Sequence, residues 1–380
     1  MNCDIIIVGS GPAGLSTALH LAQLDPDLAK RTLILERARH PRPKLCAGGI
    51  MPGGEAWLSK LGLDLGQVPS VWAREAHFLF EGRGFVVHRA PYVFRVVRRE
   101  EFDAWLADAA RDRGLALQED TSVRRVRCLD DVVELETERG VYRARAVVGA
   151  DGATSVVRRA VVRPTVPRVS RLLEILVPAG LGAPITLGRD GGPALLDFSC
   201  MAAGVQGYVW DFPTQVQQRP MRTQGVFDSR VHPQAPRALL KAALQGALAR
   251  PGVALDLDGV QGHPLRWFHP RDAFSCPRVL LAGDAAGVDP LLGEGISFAL
   301  GYGDVAAREL RDAFACGDFS FKHYRDRLLH HRIGRFLRRR AAVAGLIYRV
   351  HGRRLLRFMW GHLGPLVGWL AERLLVDWGE

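Results

Sequence analysis

Two glycine-acid motifs at opposite ends of the chain could do the same chemistry, the holding of a dinucleotide: Gly9-Ser10-Gly11-Pro12-Ala13-Gly14 and Gly283-Asp284-Ala285-Ala286-Gly287. In the first, Gly9 permits a tight turn, Gly11 leaves no side chain between backbone and a pyrophosphate, and Gly14 lets a helix pack close. The start of that helix offers unpaired N–H donors and a partial positive charge to an anion. Glu36, 22 residues beyond Gly14, is placed to accept hydrogen bonds from ribose hydroxyls, and its charge would repel a 2′-phosphate. Cys46 is the candidate for proton chemistry. Its small neighbours and nearby Arg42 and Lys44 would favour a thiolate, fitting a proton donor or a polar contact beside a substrate; it also reads as an inert packing thiol. Tyr208, Trp210 and Phe212 alternate along one run and would share a face, either as an aromatic wall for an elongated apolar ligand or as plain sheet core.

These residues need elements to position them. Residues 3–8 are an apolar run short enough for a buried parallel strand, residues 15–24 repeat their apolar positions at helical spacing, and residues 31–35 read as a second strand ending at Glu36. Strand, turn, helix and spaced acid in register turn a common glycine cluster into a dinucleotide site. Further on, Arg98-Arg99-Glu100-Glu101-Phe102-Asp103 opens a helical pattern, and Val147-Val148-Gly149-Ala150-Asp151-Gly152 closes a strand-like run. An aspartate at such a point also suits a helix cap. Within residues 166–268, alternating runs at 195–201 and 208–212 and a helical stretch at 236–249 predict an antiparallel sheet with a helix.

Composition bounds the rest. The chain has 380 residues, 48% of them hydrophobic and 8% aromatic, which suits two or three packed lobes and gives no sign of disorder or repeats. Its six cysteines form no CxxC pair, arguing against a zinc site or a disulfide framework and for a reducing compartment. Asp4 precedes the first apolar run, which leads into the glycine turn with no cleavage site, so the expected location is cytoplasmic. The net charge of +11 is local: residues 322–357 hold twelve of the 51 basic side chains and one of the 40 acids, leaving 39 of each elsewhere. With no aromatic-basic RNA motif, nucleic acid is not an expected partner. The fourteen residues 358–371 carry no formal charge but fall short of the roughly 20 apolar residues of a membrane span. The basic tail is therefore either a helical cap on the main domain or a peripheral contact with anionic headgroups.

Taken in order, the first glycine motif, the arginine ahead of Phe102-Asp103, Ala150-Asp151-Gly152 followed by Ser155 and Arg158, and Gly283-Asp284-Ala285-Ala286-Gly287 resemble the FAD-dependent oxidoreductases of the aromatic hydroxylase fold, over residues 1 to about 325. Three further stretches resemble the geranylgeranyl reductase family: Lys44-Leu45-Cys46-Ala47-Gly48-Gly49, Pro290-Leu291-Leu292-Gly293-Glu294-Gly295-Ile296, and Tyr208-Val209-Trp210-Asp211-Phe212-Pro213. Ala47 departs from the glycine usual there. The resemblance implies FAD contacts at Gly9, Gly11, Pro12, Ala13, Gly14, Glu36, Arg37, Cys46, Ala47, Gly48, Arg99, Asp151, Gly283, Asp284, Pro290, Gly293, Gly295 and Ile296. It implies a catalytic Cys46 and a substrate wall at Tyr208, Trp210 and Phe212; no metal is expected from the residues. NAD(P)H would bind transiently beside FAD, since no second GxGxxG marks a separate nicotinamide domain.

The expected fold class is α/β: a Rossmann-like FAD-binding domain (residues 1–75, 98–162 and 270–320) with an inserted antiparallel-sheet substrate domain (76–97 and 166–268) and a basic helical C-terminal segment (321–380). The expected activity is NAD(P)H-driven reduction of carbon-carbon double bonds in an isoprenoid or other lipophilic small molecule. The alternatives are a monooxygenase of a lipophilic secondary metabolite, a halogenase, and a non-enzymatic flavin-binding protein. A halogenase needs a lysine for hypohalous acid, and none occurs between Lys60 and Lys241, although Lys44 and Lys60 remain.

Overall fold

The computed structural model of the chain describes residues 2–162, 168–179, 191–248, 258–362 and 368. The first apolar run forms strand Asn2–Val8, whose Ile5, Ile6 and Ile7 are fully buried. It pairs in parallel with Thr32–Leu35 on one side and Gly140–Gly149 on the other, and Gly140–Gly149 pairs in parallel with Val279–Leu281. The register sets Val8 beside Gly149 and Gly149 beside Leu281. Three strands thus end at one edge of the sheet, each running directly into its motif at Gly9, Asp151 or Gly283. Motifs remote in sequence become neighbours because parallel strands share a carboxyl end, where open α/β sheets place their ligands.

Helix packing holds that edge in place. Helix Pro12–Leu24 leaves the first motif and lies against helix Ile296–Cys316, which follows the second after the loop at 288–295. Ser16 Oγ donates to the Leu300 carbonyl at 2.6 Å, and a β-carbon on Gly303 would stand 2.3 Å from Ser16 Oγ, so glycine permits the close approach. The rest of this eight-stranded sheet comprises Ala116–Gln118, Ser275–Cys276 and the antiparallel pair Val123–Cys128 and Val133–Thr137.

A second sheet of seven strands runs in the order Gln261–Arg266, Val169–Pro178, Arg219–Asp228, Gly207–Val216, Ala194–Asp197, Glu75–Phe80, Arg83–His88. It is antiparallel except where Ala194–Asp197 runs parallel to Glu75–Phe80, a mixed pairing the alternating patterns do not reveal. A small third sheet joins Gly49–Ile50, Phe94–Val97 and Ser70–Ala73. With helices on the parallel sheet and C-terminal helices beyond it, the fold is the α/β architecture expected.

Two sequence expectations need correction. The alternating run at 195–201 is strand only to Asp197, because Asp197 Oδ1 accepts from both the backbone N–H and the hydroxyl of Ser199 and turns the chain into a short 3-10 segment, Ser199–Ala203. The helix expected over 236–249 is Leu240–Leu248, with residue 249 outside the described residues. The Arg230 guanidinium donates to the carbonyls of Pro233, Ala235 and Pro236 and so holds residues 233–236 out of the helix.

The basic C-terminal segment forms helices Tyr324–His330, Arg332–Ile347 and Arg353–Gly361. Tyr348, Leu356 and Trp360 are buried among Phe80, Phe198 and Tyr208, so this segment caps the seven-stranded sheet. Of the uncharged stretch at 358–371, residues 363–367 and 369–371 lie outside the described residues.

Candidate active site

One cavity of about 480 Å³ runs from the first glycine turn to the seven-stranded sheet, a size typical of small-molecule sites. At its dinucleotide end Gly9 has φ +101°, and a β-carbon there would meet the Ala150 carbonyl at 2.5 Å. Gly14 sits against the Gly9 carbonyl, which a β-carbon would approach to 1.9 Å. Gly11 is different: its open side faces only the guanidinium tips of Arg42 and Arg99, 3.8 and 3.9 Å from where a β-carbon would lie. The bare backbone is thus flanked by two cations, the arrangement a pyrophosphate requires.

Buried Asp103 fixes both cations. It accepts Arg99 Nε at 2.8 Å and Nη2 at 2.7 Å, and stands 3.2 Å from Arg42 Nη2. Burial works hardest against the Arg99 cation, but the charge and hydrogen bonds of Asp103, with the charge of Asp284, together more than offset it, and the Arg99 pKa rises. The Arg42 Nε, buried, has no hydrogen-bond partner, with the Glu36 carboxylate 3.7 Å away at ion-pair distance. Glu36 accepts from Ser10 N and Oγ at 2.8 and 2.9 Å and from Ala38 N at 3.1 Å, which locks its carboxylate at the end of Thr32–Leu35. Asp151 lines the cavity and also caps helix Val156–Val161, accepting from Val156 N at 2.7 Å and Val157 N at 3.2 Å.

The other wall is one face of the seven-stranded sheet. Tyr208, Trp210 and Phe212 all line the cavity, and all are buried. Tyr208 Oη donates to the Leu292 carbonyl at 2.6 Å, Trp210 Nε1 reaches Thr223 Oγ1 at 3.5 Å, and the Phe212 ring meets Phe94 edge-on at 5.2 Å. Wall and core are the same side chains here. Between the two ends passes the 44–48 segment, where Cys46 Sγ accepts the Gly48 N–H at 3.4 Å and Gly48 adopts φ +79° against the Val97 carbonyl.

Two titratable cavity residues stand outside the sequence candidates, His263 and Glu174, and Lys44, read from the sequence as a neighbour of Cys46, joins them. Lys44 Nζ hydrogen-bonds His263 Nε2. Burial lowers the Lys44 pKa to about 8, against the pull of Asp284, and burial together with Lys44 lowers His263 to about 4. Burial also lifts the Glu174 pKa to about 7. A signal for Glu174 is in the sequence, a lone acid inside the apolar run Leu172-Leu173-Glu174-Ile175-Leu176; His263 carries none.

The loop at 289–295 closes the cavity from the C-terminal side. Arg340, fully buried, sets one nitrogen 2.7 Å from Asp289 Oδ2 and 2.6 Å from Glu294 Oε2. Gly293, with φ +71°, packs on the Phe227 ring, and Gly295 caps helix Ile296–Cys316 beside Asp284. Burial raises the Asp284 pKa while Lys44 and Arg99 pull it down. Of the expected cofactor residues, Gly14 and Pro290 lie behind the cavity wall: Gly14 seats the helix, and the Pro290 carbonyl accepts Ser229 Oγ at 2.5 Å. The remainder line the cavity together.

A profile of the FAD binding domain matches residues 2–302. Digeranylgeranylglycerophospholipid reductase 1 of Methanopyrus kandleri is 30% identical over 342 residues, covering 86% of each chain. The chain belongs to the geranylgeranyl reductase family of FAD-dependent oxidoreductases. Another relative in sequence, 26% identical over 84% of this chain and 78% of its own, is the menaquinone reductase of Mycolicibacterium smegmatis. A geranylgeranyl bacteriochlorophyll reductase-like protein of Thermoplasma acidophilum superposes with a TM-score of 0.76 at 20% identity, covering 94% of this chain and 90% of its own, and shares the fold. As a family member the chain binds FAD, and its residues fit that cofactor: an open glycine backbone between two guanidiniums, a buried Arg42 Nε that no hydrogen bond satisfies, and a cavity that continues past the turn. Among the described residues no group of three His, Cys, Asp or Glu side chains is placed to hold a metal ion, and no helix is long and apolar enough to cross a membrane.

Proposed function

We propose that the chain reduces carbon-carbon double bonds of an isoprenoid or similar lipophilic substrate, with NAD(P)H as the transient reductant. FAD, when bound, supplies the two-electron link between nicotinamide and double bond. The chain's own residues bind, orient and exclude water. Gly9, Gly11, Pro12 and Ala13 would seat the pyrophosphate, with Arg42 and Arg99 neutralising it and Glu36 meeting the ribose. Arg37, Asp151, Gly283 and Asp284 would complete the cofactor shell, and Ala47, Gly48, Gly293, Gly295 and Ile296 would border its ring. Tyr208, Trp210 and Phe212 would lie along the substrate, and Cys46 would stand where the two meet. The domain division drawn from the sequence, with cofactor and substrate lobes meeting at this cavity, belongs to the same proposal.

The observation that carries this reading is the continuity of the cavity from the Gly9 turn to the Tyr208-Trp210-Phe212 face, which lets a flavin and an apolar chain share one water-poor space. Relatives named as reductases of a digeranylgeranyl lipid and of menaquinone span most of the chain and support it. Anaerobic incubation with a polyprenyl substrate and NAD(P)H is expected to yield products heavier by two hydrogens per bond reduced. Reduced flavin without such a product would count against the proposal. A second reading, with oxygen as the acceptor, draws on Lys44, an amine of lowered pKa inside the cavity. Product formed only in air and heavier by oxygen or halogen would favour it.

The C-terminal segment is proposed to touch membranes peripherally. Leu346, Leu355 and Phe358 are 70%, 51% and 49% exposed, and Arg349, Arg354 and Arg357 are exposed close by in sequence. Such a mixture suits an interface of anionic lipid. The protein is expected to co-sediment with phosphatidylserine-containing vesicles and not with phosphatidylcholine alone, with binding reduced by salt and by R349E/R354E. Equal recovery on both vesicle types would refute the contact.

A further inference from the structure

One carboxyl interrupts the apolar face of the seven-stranded sheet. Cross-strand partners project to the same side of a sheet, so the register builds this face in rows. Tyr208, Phe227, Leu172 and His263 form one row; Trp210, Gly225 and Glu174 form the next. Gly225 has no side chain, and a β-carbon on it would lie 2.2 Å from the Trp210 ring. The indole therefore reaches across Gly225 from one flanking strand, toward Glu174 on the other. Glu174 is 4% exposed and lines the cavity, as do Trp210 and Leu172.

We propose that Glu174 is the acid that gives a proton to the substrate's double bond. This deepens the reductase reading and rests on it. Saturating one carbon-carbon double bond adds a hydride to one carbon and a proton to the other. The hydride carries both electrons and comes from the reduced cofactor; the proton is the chain's to supply. The Glu174 O–H bond breaks as the C–H bond forms, and the carboxylate left behind is reprotonated from solvent.

The other cavity carboxyls are committed elsewhere. Glu36 accepts from Ser10 and Ala38, Asp151 caps a helix, Glu294 pairs with Arg340, and Asp284 faces the charges of Lys44 and Arg99. Glu174 is buried on the cavity wall, beside the Thr223 hydroxyl, which favours its carboxylate form. Burial dominates its titration. The charges that reach it are Arg98 and Lys44, which favour the carboxylate, and Glu100, which opposes it. The balance leaves its pKa at about 7, so the acid form is populated at neutral pH and regenerates readily. Cys46, the rival donor, only accepts the Gly48 N–H at its sulfur and keeps its S–H, so C46A is the control.

The test uses E174Q holoenzyme, since glutamine keeps the shape but cannot give up a proton near neutral pH. FAD stoichiometry and absorption spectrum serve as the folding control. Dithionite-reduced enzyme mixed anaerobically with geranylgeranyl diphosphate should form saturated product about a hundredfold or more slowly in E174Q than in wild type. Independently of turnover, the wild-type minus E174Q infrared difference should show a protonated-carboxyl band at about pH 6 that fades by about pH 8. That subtraction removes Asp284, Asp151 and Glu294, whose pKa values are also raised. Turnover of E174Q within about threefold of wild type, or loss of turnover in C46A alone, would overturn the proposal. If the wild type itself reduces no double bond, the reductase reading fails. The infrared band then still decides the held proton: its absence overturns that, and its loss in E174Q supports it.

Discussion

Replacing Arg340 with methionine is expected to cost about 3–5 kcal/mol of stability and to strip FAD from what remains folded. Arg340 is 0% exposed, and its Nη1 is shared by Asp289 and Glu294, themselves buried. Burial works against all three charges, and the arrangement stands because two carboxylates surround the cation and lift its pKa. Methionine fills much of the volume but leaves two buried carboxylates facing each other. Glu294, whose pKa burial already raises, would then take up a proton. The loss would spread along the loop, because Asp289 also accepts Leu291 N at 2.8 Å and Leu292 N at 3.1 Å, and those two residues give their carbonyls to Tyr348 and Tyr208. The wall beside Gly293 and Gly295 would move with them. Denaturant unfolding and FAD content measure the two effects. R340M/D289N/E294Q should recover most of the stability, since replacing a buried ion cluster by neutral groups is far less costly than removing one partner. R340M unfolding at the wild-type denaturant midpoint would refute the account.

That triad shows where the sequence was legible and where it was not. The first strand, glycine turn and helix could be read because their signals are local, an apolar run, glycines at fixed spacing and apolar positions at helical spacing, and the structure forms them as Asn2–Val8 and Pro12–Leu24. The convergence of the motifs at Gly9, Asp151 and Gly283 follows from parallel pairing once those strands are known. The basic tail was harder. Its charge reads from the sequence as a surface property, yet Arg340 is spent on Asp289 and Glu294, and Arg327 on Glu309 and Asp312. Each such pair joins residues from different elements, and charge counting has no means of seeing it. Glu174 was legible only as an anomaly. An acid within five otherwise apolar residues breaks the strand pattern, and such breaks in local consistency gather at functional sites.

Asp103 gives the second large effect, and it separates structural from cofactor roles. D103A is expected to destabilise the FAD-free protein by about 3–5 kcal/mol, because it leaves the buried Arg99 guanidinium and the partly buried Arg42 one, with only Glu36 at 3.7 Å beside the latter, side by side without their shared carboxylate. R99A should cost less, since Asp103 keeps Arg42 at 3.2 Å and one unlike pair survives. In D103A/R99A one cation has gone, so the double variant is expected to be more stable than D103A alone, a coupling that a double-mutant cycle reads directly. Bound FAD should narrow the gap. Both guanidinium tips face the open side of Gly11, so the pyrophosphate would replace part of the lost negative charge, and added FAD should raise the D103A melting temperature more than the wild-type one. Equal gains would mean that the two arginines support the Pro12–Leu24 turn and do not meet the phosphates. A D103A protein as stable as wild type without FAD would remove the premise that the carboxylate holds them at all.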